Sequence, residues 1–158
     1  MRQVYTAYTY LYEVIQKEGP FDGVIGFSQG AVISVALLLH HAQKHPDEPP
    51  DALFRFGIFF SCPALPIEEE MDHDAEEWGD LQLRIPTIHV CGEADSDWFE
   101  KSQETFYERC EEGTATMIMH KGGHLIPKDK QMVDKIFVEI GKLLETIPSR
   151  RDERREQE

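Results

Sequence analysis

Short apolar runs alternate along this chain with longer segments whose apolar residues recur at helical spacing. The short runs predict buried strands at residues 21–27, 54–60, 85–91 and 114–120. The longer segments predict helices at residues 4–17, 31–45, 97–111 and 128–145. Strands that alternate with helices predict an α/β fold, with a mostly parallel sheet and helices on both faces. Such a sheet places ligands at the carboxyl ends of its strands.

The length of the chain predicts one main domain. Its 158 residues suffice for a single hydrophobic core, and we assign residues 1–147 to that domain. Residues 148–158 are highly charged, and we expect them to form a disordered tail. The acidic run at residues 68–80 has no clear period, which favours a solvated surface excursion over a lid.

The charge of the chain excludes several kinds of partner. Thirty acidic against 16 basic residues give a net charge of −14. Nucleic acids and anionic membranes are disfavoured, because displacing their counterions requires basic groups. No apolar stretch is long enough to span a bilayer, and residues 1–19 lack a signal peptide's apolar segment. We therefore expect a cytoplasmic protein without a nucleic-acid or membrane partner; the oligomeric state is left open.

The three cysteines do not indicate a disulfide framework or a zinc site. Cys62, Cys91 and Cys110 are sparse, odd in number and without CxxC spacing. Cys91 ends an apolar strand pattern, so we expect a buried thiol there. No metal or organic cofactor is implied by the sequence.

A candidate nucleophile lies where the first predicted strand meets a helix. The sequence Gly26-Phe27-Ser28-Gln29-Gly30 is G-x-S-x-G, in which the serine occupies a strained turn that projects its hydroxyl. We expect Gly26 and Gly30 to remove Cβ atoms that would collide between strand and helix. The backbone N–H of Gln29 is the expected oxyanion donor at the helix N-terminus. The alternative is an ordinary turn serine.

A serine nucleophile needs a base, and seven histidines compete for that role. His124 is favoured, because Gly122-Gly123-His124 forms a loop after the last predicted strand, from which an imidazole can reach the sheet edge. The remaining histidines are interpreted as helix-end, surface, packed or structural side chains: His40, His41, His45, His73, His89 and His120.

The base in turn needs a carboxylate for its second ring nitrogen. Three acids follow the third predicted strand, and Asp95 ranks first, Asp97 second and Glu93 third. Asp95 or Asp97 is alternatively a cap for the helix that begins near Trp98. The chain order serine, aspartate, histidine is the order found in α/β-hydrolases.

Three sequence blocks, FDGVIGFSQGA, IPTIHVCGEAD and HKGGHLIP, resemble the FSH family of small serine hydrolases over residues 5–144. The resemblance implies an α/β-hydrolase fold, with Ser28 as nucleophile, Asp95 as acid and His124 as base. It implies an esterase or thioesterase that acts on a small acyl ester or a carrier-bound thioester. Some fungal members release polyketides in secondary metabolism. Acyl-protein thioesterases and carboxylesterases share GFSQG, but the GGHLIP block favours the FSH family.

The resemblance has one departure. Family members carry an N-terminal block of strands and a His-Gly loop that supplies a second oxyanion donor, and no such block precedes Met1. We therefore expect an N-terminally truncated fold, whose nucleophile strand has one open side. We also expect the chain alone to be poorly soluble or nearly inactive. A non-catalytic hydrolase-like protein and a peptidase or lipase are the alternatives.

Overall fold

A computed structural model describes residues 2–63, 81–95, 107 and 109–147, without the side chains of residues 2–6. This part contains three helices and four strands: α1 (Arg2–Glu18), β1 (Gly23–Phe27), α2 (Gln29–Lys44), β2 (Phe56–Phe60), β3 (Thr87–Gly92), β4 (Ala115–His120) and α3 (Lys130–Glu145). The acidic run at residues 68–80, most of the helix predicted at 97–111 and the tail at 148–158 lie outside the described residues.

The four strands form one parallel sheet in the order β1-β2-β3-β4. This arrangement confirms the predicted α/β class. The strands begin one or two residues later than the apolar runs predict, and β3 shows one reason. Pro86 has no N–H to donate to a ladder, although its carbonyl accepts from the N–H of Gly57 at 3.0 Å, so strand pairing starts at Thr87.

One face of the sheet packs against α2. Gly26 and Phe59 are register partners on that face, and Phe59 is fully buried with Ala31, Val35 and Leu39 of α2. These α2 positions are spaced four apart and therefore lie on one side of the helix. Helix α1 joins the same core through Tyr8, Leu11, Tyr12 and Ile15.

The first and third strands differ in their surroundings. Every residue of β3 is buried, whereas β1 pairs only with β2 among the described residues. The side chain of Ile25 in β1 is 68% exposed. Within the described part, β1, which leads to the predicted nucleophile Ser28, is thus an edge strand with an open side, as the sequence predicted.

The chain divides into two compact units, Met1–Ile126 and Pro127–Glu158. In the second unit, the Asp129 side chain accepts a hydrogen bond from the N–H of Met132 at 2.9 Å. This N-cap starts α3 at Lys130 rather than near residue 128, because it satisfies an amide that has no partner inside the helix. None of the described helices has the length and apolarity needed to cross a bilayer.

Candidate active site

The turn between β1 and α2 holds Ser28 in an unusual backbone conformation, with φ 54° and ψ −124°. The N–H of Ser28 donates to the carbonyl of Phe60 at 3.0 Å and so extends the pairing of β1 with β2. Its carbonyl accepts from Ala31 at 2.9 Å and Val32 at 3.2 Å, in the first turn of α2. Hydrogen bonds to a strand and to a helix therefore maintain a conformation that a non-glycine residue rarely adopts.

The two glycines of the motif have different surroundings. A Cβ on Gly26 would lie 2.5 Å from Cα of Ala31, so strand and helix require glycine there. A Cβ on Gly30 would meet nothing within 4 Å. The prediction that both glycines prevent a collision is confirmed for Gly26 and wrong for Gly30, because only Gly26 lies at the closely packed junction with α2.

The imidazole of His124 lies beside the hydroxyl of Ser28. Its Nε2 atom is 2.8 Å from Oγ of Ser28, across 96 positions of sequence. The His124 side chain is 38% exposed, and the ring of Phe27 lies against it with a centroid distance of 5.3 Å. The imidazole is therefore open to solvent on one side and restrained by an aromatic ring on another.

The other nitrogen of this imidazole contacts Asp95. Nδ1 of His124 is 3.0 Å from Oδ2 of Asp95, whose side chain is only 9% exposed. A carboxylate can only accept, so Nδ1 carries the proton and Nε2 of the neutral ring is left to accept from Ser28. Glu93, the third-ranked acid, is an exposed residue. Asp97, the second-ranked acid, lies outside the described residues.

Asp95 and His124, the predicted acid and base, stand on two loops that are joined through their backbones. We name residues 92–95 the acid loop and residues 120–124 the base loop. The N–H of Glu93 donates to the carbonyl of His120 at 2.7 Å, and the N–H of Ala94 donates to the carbonyl of Gly122 at 3.1 Å. A Cβ on Gly92 would collide with the carbonyl oxygens of Gly122 and Gly123. Glycine at 92 thus allows the loops to approach at backbone distance.

The histidines at the C-terminal end of α2 have partners of their own. The hydroxyl of Tyr12 lies 3.3 Å from Nδ1 of His40, and the carboxylate of Glu48 contacts His41 and His45. Burial, reinforced by the nearby cations, lowers the pKa of His40. These side chains form a cluster separate from Ser28, as expected for a helix end.

His89 is packed inside the sheet, as predicted. It is 2% exposed, and Nε2 lies 2.9 Å from the hydroxyl of Thr87. Desolvation of the charged ring lowers the pKa of His89 to about 4. His73 lies outside the described residues.

The three thiols are buried, and none of them forms a disulfide bond in the described part of the chain. Burial raises the pKa of Cys91 and of Cys110 to about 11 and raises that of Cys62 as well. Such thiols hold their protons at neutral pH and are poor nucleophiles or metal ligands. The prediction of a buried thiol at Cys91 is confirmed. In the described part, no three candidate ligand side chains are grouped to hold a metal ion.

The first residue of α2 supplies a donor near the serine. Gln29 follows Ser28 directly, and the first N–H groups of a helix have no acceptor within the helix. The positive end of the helix dipole also lies at this turn. An anion at Ser28 would therefore meet a backbone donor and a favourable local field.

Two contacts at the site did not follow from the sequence pattern. These are the ring contact of Phe27 with His124 and a hydrogen bond from the N–H of Gly122 to Nδ1 of His120. The available signal was weak: Phe27 adjoins the serine, and His120 precedes the glycine pair. Neither position implies a contact without the three-dimensional path of both loops.

Solved structures with a similar backbone identify the class of fold. Mouse α/β-hydrolase domain-containing protein 10 aligns with a TM-score of 0.63 at 15% identity, covering 92% of this chain and 70% of that chain. Acyl-protein thioesterase 2 of Zea mays aligns with a TM-score of 0.57 at 16% identity, covering 89% of this chain and 64% of that chain. At this identity the likeness concerns the fold alone, which is that of an α/β-hydrolase.

The sequence comparisons narrow the class to a family. The profile described as serine hydrolase (FSH1) matches residues 1–136, and the chain belongs to this family of serine hydrolases. Hydrolase phiM of Talaromyces stipitatus is 33% identical over 149 residues, covering 89% of this chain and 57% of its own length. Esterase FPY3 of Fusarium mangiferae is 37% identical over 134 residues, covering 80% and 58%. The chain thus spans somewhat over half the length of these relatives.

Proposed function

We propose that the protein hydrolyses acyl esters or thioesters through a triad of Ser28, His124 and Asp95. The observation that carries this proposal is the unbroken series from the serine hydroxyl through both imidazole nitrogens to the carboxylate, with contacts of 2.8 and 3.0 Å. A hydroxyl is a weak nucleophile at neutral pH unless a base removes its proton. The series supplies that base and a partner that orients it.

In the proposed reaction, the Ser28 hydroxyl attacks the carbonyl carbon while Nε2 of His124 takes its proton. Asp95 stabilises the imidazolium and retains its own negative charge. The imidazolium then donates the proton to the leaving alcohol or thiol, which gives an acyl-serine. His124 next takes a proton from water, whose oxygen attacks the acyl-serine, and finally returns that proton to Ser28.

The carbonyl oxygen becomes negatively charged in this reaction. We propose the N–H of Gln29 as one donor to that oxyanion, supported by its place at the start of α2 and by the helix dipole. Losing one such donor typically costs about 3–4 kcal/mol of transition-state stabilisation.

The surroundings of the serine support a small apolar acyl substrate. Phe27, Leu125 and Ile126 expose 41, 46 and 45% of their surface near the ends of the loops. The names Esterase FPY3 and Hydrolase phiM are compatible with ester cleavage. A role in fungal secondary metabolism, with a carrier-bound thioester as substrate, is the narrower form of the proposal. A cytoplasmic location is proposed because Cys62, Cys91 and Cys110 are not joined in disulfides, which suits a reducing compartment.

A fluorophosphonate probe tests the proposed nucleophile directly. We expect the probe to modify Ser28 and no other serine, and Ser28→Ala to abolish labelling, as read by mass spectrometry of the modified peptide. Ser34→Ala is the matched control, because its hydroxyl bonds to the carbonyl of Gly30 inside α2. An unreactive Ser28 in folded protein would favour the rival function, a non-catalytic hydrolase-like protein.

The substrate class requires a separate assay. Because we expect the chain alone to be nearly inactive, we expect slow hydrolysis of p-nitrophenyl acyl esters and of acyl-thioester analogues, and no hydrolysis of peptide amides. Labelling of Ser28 combined with peptide cleavage would instead identify a peptidase of the same fold.

A further inference from the structure

The buried side chain of His120, at the end of β4, has no part in the proposed reaction. It is 4% exposed, and its Nδ1 atom accepts a hydrogen bond from the N–H of Gly122 at 3.1 Å. Its Nε2 atom is buried and has no hydrogen-bond partner in the described part of the chain. The ring is thus bonded on one side only, within the loop that carries His124.

The bond to Gly122 fixes the tautomer of His120. An imidazole nitrogen accepts a hydrogen bond only where it has no proton, so the neutral ring carries its proton on Nε2. That Nε2–H is a buried donor without an acceptor, which is an unfavourable arrangement. An aliphatic side chain would avoid this cost but would leave the N–H of Gly122 without its acceptor. The useful feature of histidine at this position is therefore the acceptor at Nδ1.

Gly122 is held from both sides. Its N–H is bound by His120, and its carbonyl accepts from Ala94 of the acid loop at 3.1 Å. The carbonyl of His120 itself accepts from Glu93 at 2.7 Å. The residue pair 120 and 122 therefore anchors the base loop to the acid loop two residues before His124.

We propose that His120 is a positioning residue, whose Nδ1 atom holds the base loop so that His124 meets both Ser28 and Asp95. This inference rests on the proposed function, since it assigns His120 a role in the geometry of that triad. Without the acceptor, the N–H of Gly122 loses its partner, and Gly122 is then held only through the bond from Ala94 to its carbonyl. Displacements of about 1 Å in a reacting group can reduce rates by about 100-fold.

Two amide variants separate this role from simple filling of space. The oxygen of Asn lies two bonds from Cβ, as Nδ1 of histidine does, whereas the oxygen of Gln lies three bonds away. His120→Asn therefore retains the acceptor for Gly122, and His120→Gln displaces it with the same chemical group. His120→Leu fills similar volume without an acceptor.

The first readout is hydrogen exchange of the Gly122 amide by NMR, and the second is the rate at which a fluorophosphonate labels Ser28. We expect His120→Asn to keep protection of the Gly122 amide, with a labelling rate of Ser28 within about threefold of that of the unsubstituted chain. We expect His120→Gln and His120→Leu to lose protection and to label about 10–100-fold more slowly. Thermal unfolding midpoints identify any variant that fails to fold. If His120→Leu does not fold, the comparison of His120→Asn with His120→Gln decides whether the acceptor at residue 120 matters.

The inference is overturned if His120→Gln matches His120→Asn in amide protection and labelling rate. It is also overturned if Ser28 is labelled as fast in His120→Leu as in the unsubstituted chain, or as slowly in His120→Asn as in His120→Leu. The proposed function fails separately, if Ser28 is unreactive in a chain whose Gly122 amide is protected. In that case amide exchange in the same variants still decides whether His120 holds the base loop.

Discussion

The turn that carries Ser28 and the pair of loops that carries Asp95 and His124 reach the same site by different means. The turn is positioned mainly by neighbours in sequence, through the strained backbone of Ser28 and the missing Cβ of Gly26, with one distant bond from Ser28 to the carbonyl of Phe60. The acid and base loops are positioned by each other, through backbone hydrogen bonds between residues far apart in the chain. One half of the site is therefore local in sequence, and the other depends on the completed sheet.

The largest expected effect comes from removing the base. We expect His124→Ala to reduce p-nitrophenyl ester hydrolysis by about 10⁶-fold, because the proton of Ser28 then has no acceptor. His45→Ala, at the end of α2, should leave the rate within a few fold. Steady-state kinetics of both variants provide the measurement, and comparable losses would show that the effect is not specific to the triad.

Replacing the acid without changing its shape tests the second half of the site. We expect Asp95→Asn to reduce the hydrolysis rate by about 10⁴-fold, because the amide no longer favours the tautomer that leaves Nε2 free to accept. Glu93→Gln is the matched control, since this loop uses the backbone of Glu93 and exposes the residue. A large loss at Glu93 and none at Asp95 would reverse the assignment of the acid.

One added carbon atom should disturb the contact between the acid loop and the base loop. We expect Gly92→Ala to slow labelling of Ser28 about 100-fold, because its Cβ would push against the backbone of Gly122 and Gly123. Gly113→Ala is an informative comparison, since a Cβ there meets nothing within 4 Å and its cost comes from a φ of 82°. We expect that variant to lose stability and to retain the labelling rate of its folded fraction.

The local half of the site offers a matched pair of glycines. We expect Gly26→Ala to destabilise the protein by about 3 kcal/mol, because a Cβ would overlap the backbone of Ala31. We expect Gly30→Ala to be neutral or to stabilise by up to about 1 kcal/mol, because alanine is favoured over glycine in a helix. Urea unfolding measures both, and equal losses would contradict the difference between the two positions.

The smallest expected effect concerns the pH dependence of the buried strand beneath the acid loop. The pKa of His89 is lowered to about 4 from an ordinary value of 6.5, so the unfolded chain binds its proton at a higher pH than the native protein. The resulting stability is fully present above pH 6.5 and is lost as the pH falls towards 4. We expect a loss of about 2 kcal/mol between pH 7 and pH 5.

His89→Leu should remove this dependence, whereas His45→Gln, at an exposed position, should retain it. Urea unfolding at the two pH values gives the difference for each variant. An unchanged slope in His89→Leu would assign the acid sensitivity to other groups.

The sheet could be predicted because its signal is local. Each strand is a short apolar run, and parallel order follows from the helical segments predicted between the first and second runs and between the third and fourth. The exact starts could not be read from apolarity, since Pro86 is apolar and yet cannot donate to a ladder. The start of α3 likewise depends on the cap at Asp129, and the periodic spacing of apolar residues carries no information about a polar cap.

The site divides in the same way. Ser28 and its strained turn follow from a five-residue motif, and the proximity of Asp95 and His124 follows from their places after strands of one parallel sheet. Their catalytic roles remain predictions. The open space around Gly30 and the bond from Gly122 to His120 depend on how separate segments pack, and neither can be derived from spacing alone.

The joining of the acid and base loops through main-chain atoms leaves some side chains unused. Glu93 and Lys121 are exposed, although the backbone of Glu93 joins the two loops and Lys121 lies between His120 and Gly122, which also join them. These positions can therefore carry a small fluorophore and a quencher without altering the backbone contacts that hold the loops together. Contact quenching between the two labels would report any separation of the two loops in real time, during turnover and during unfolding.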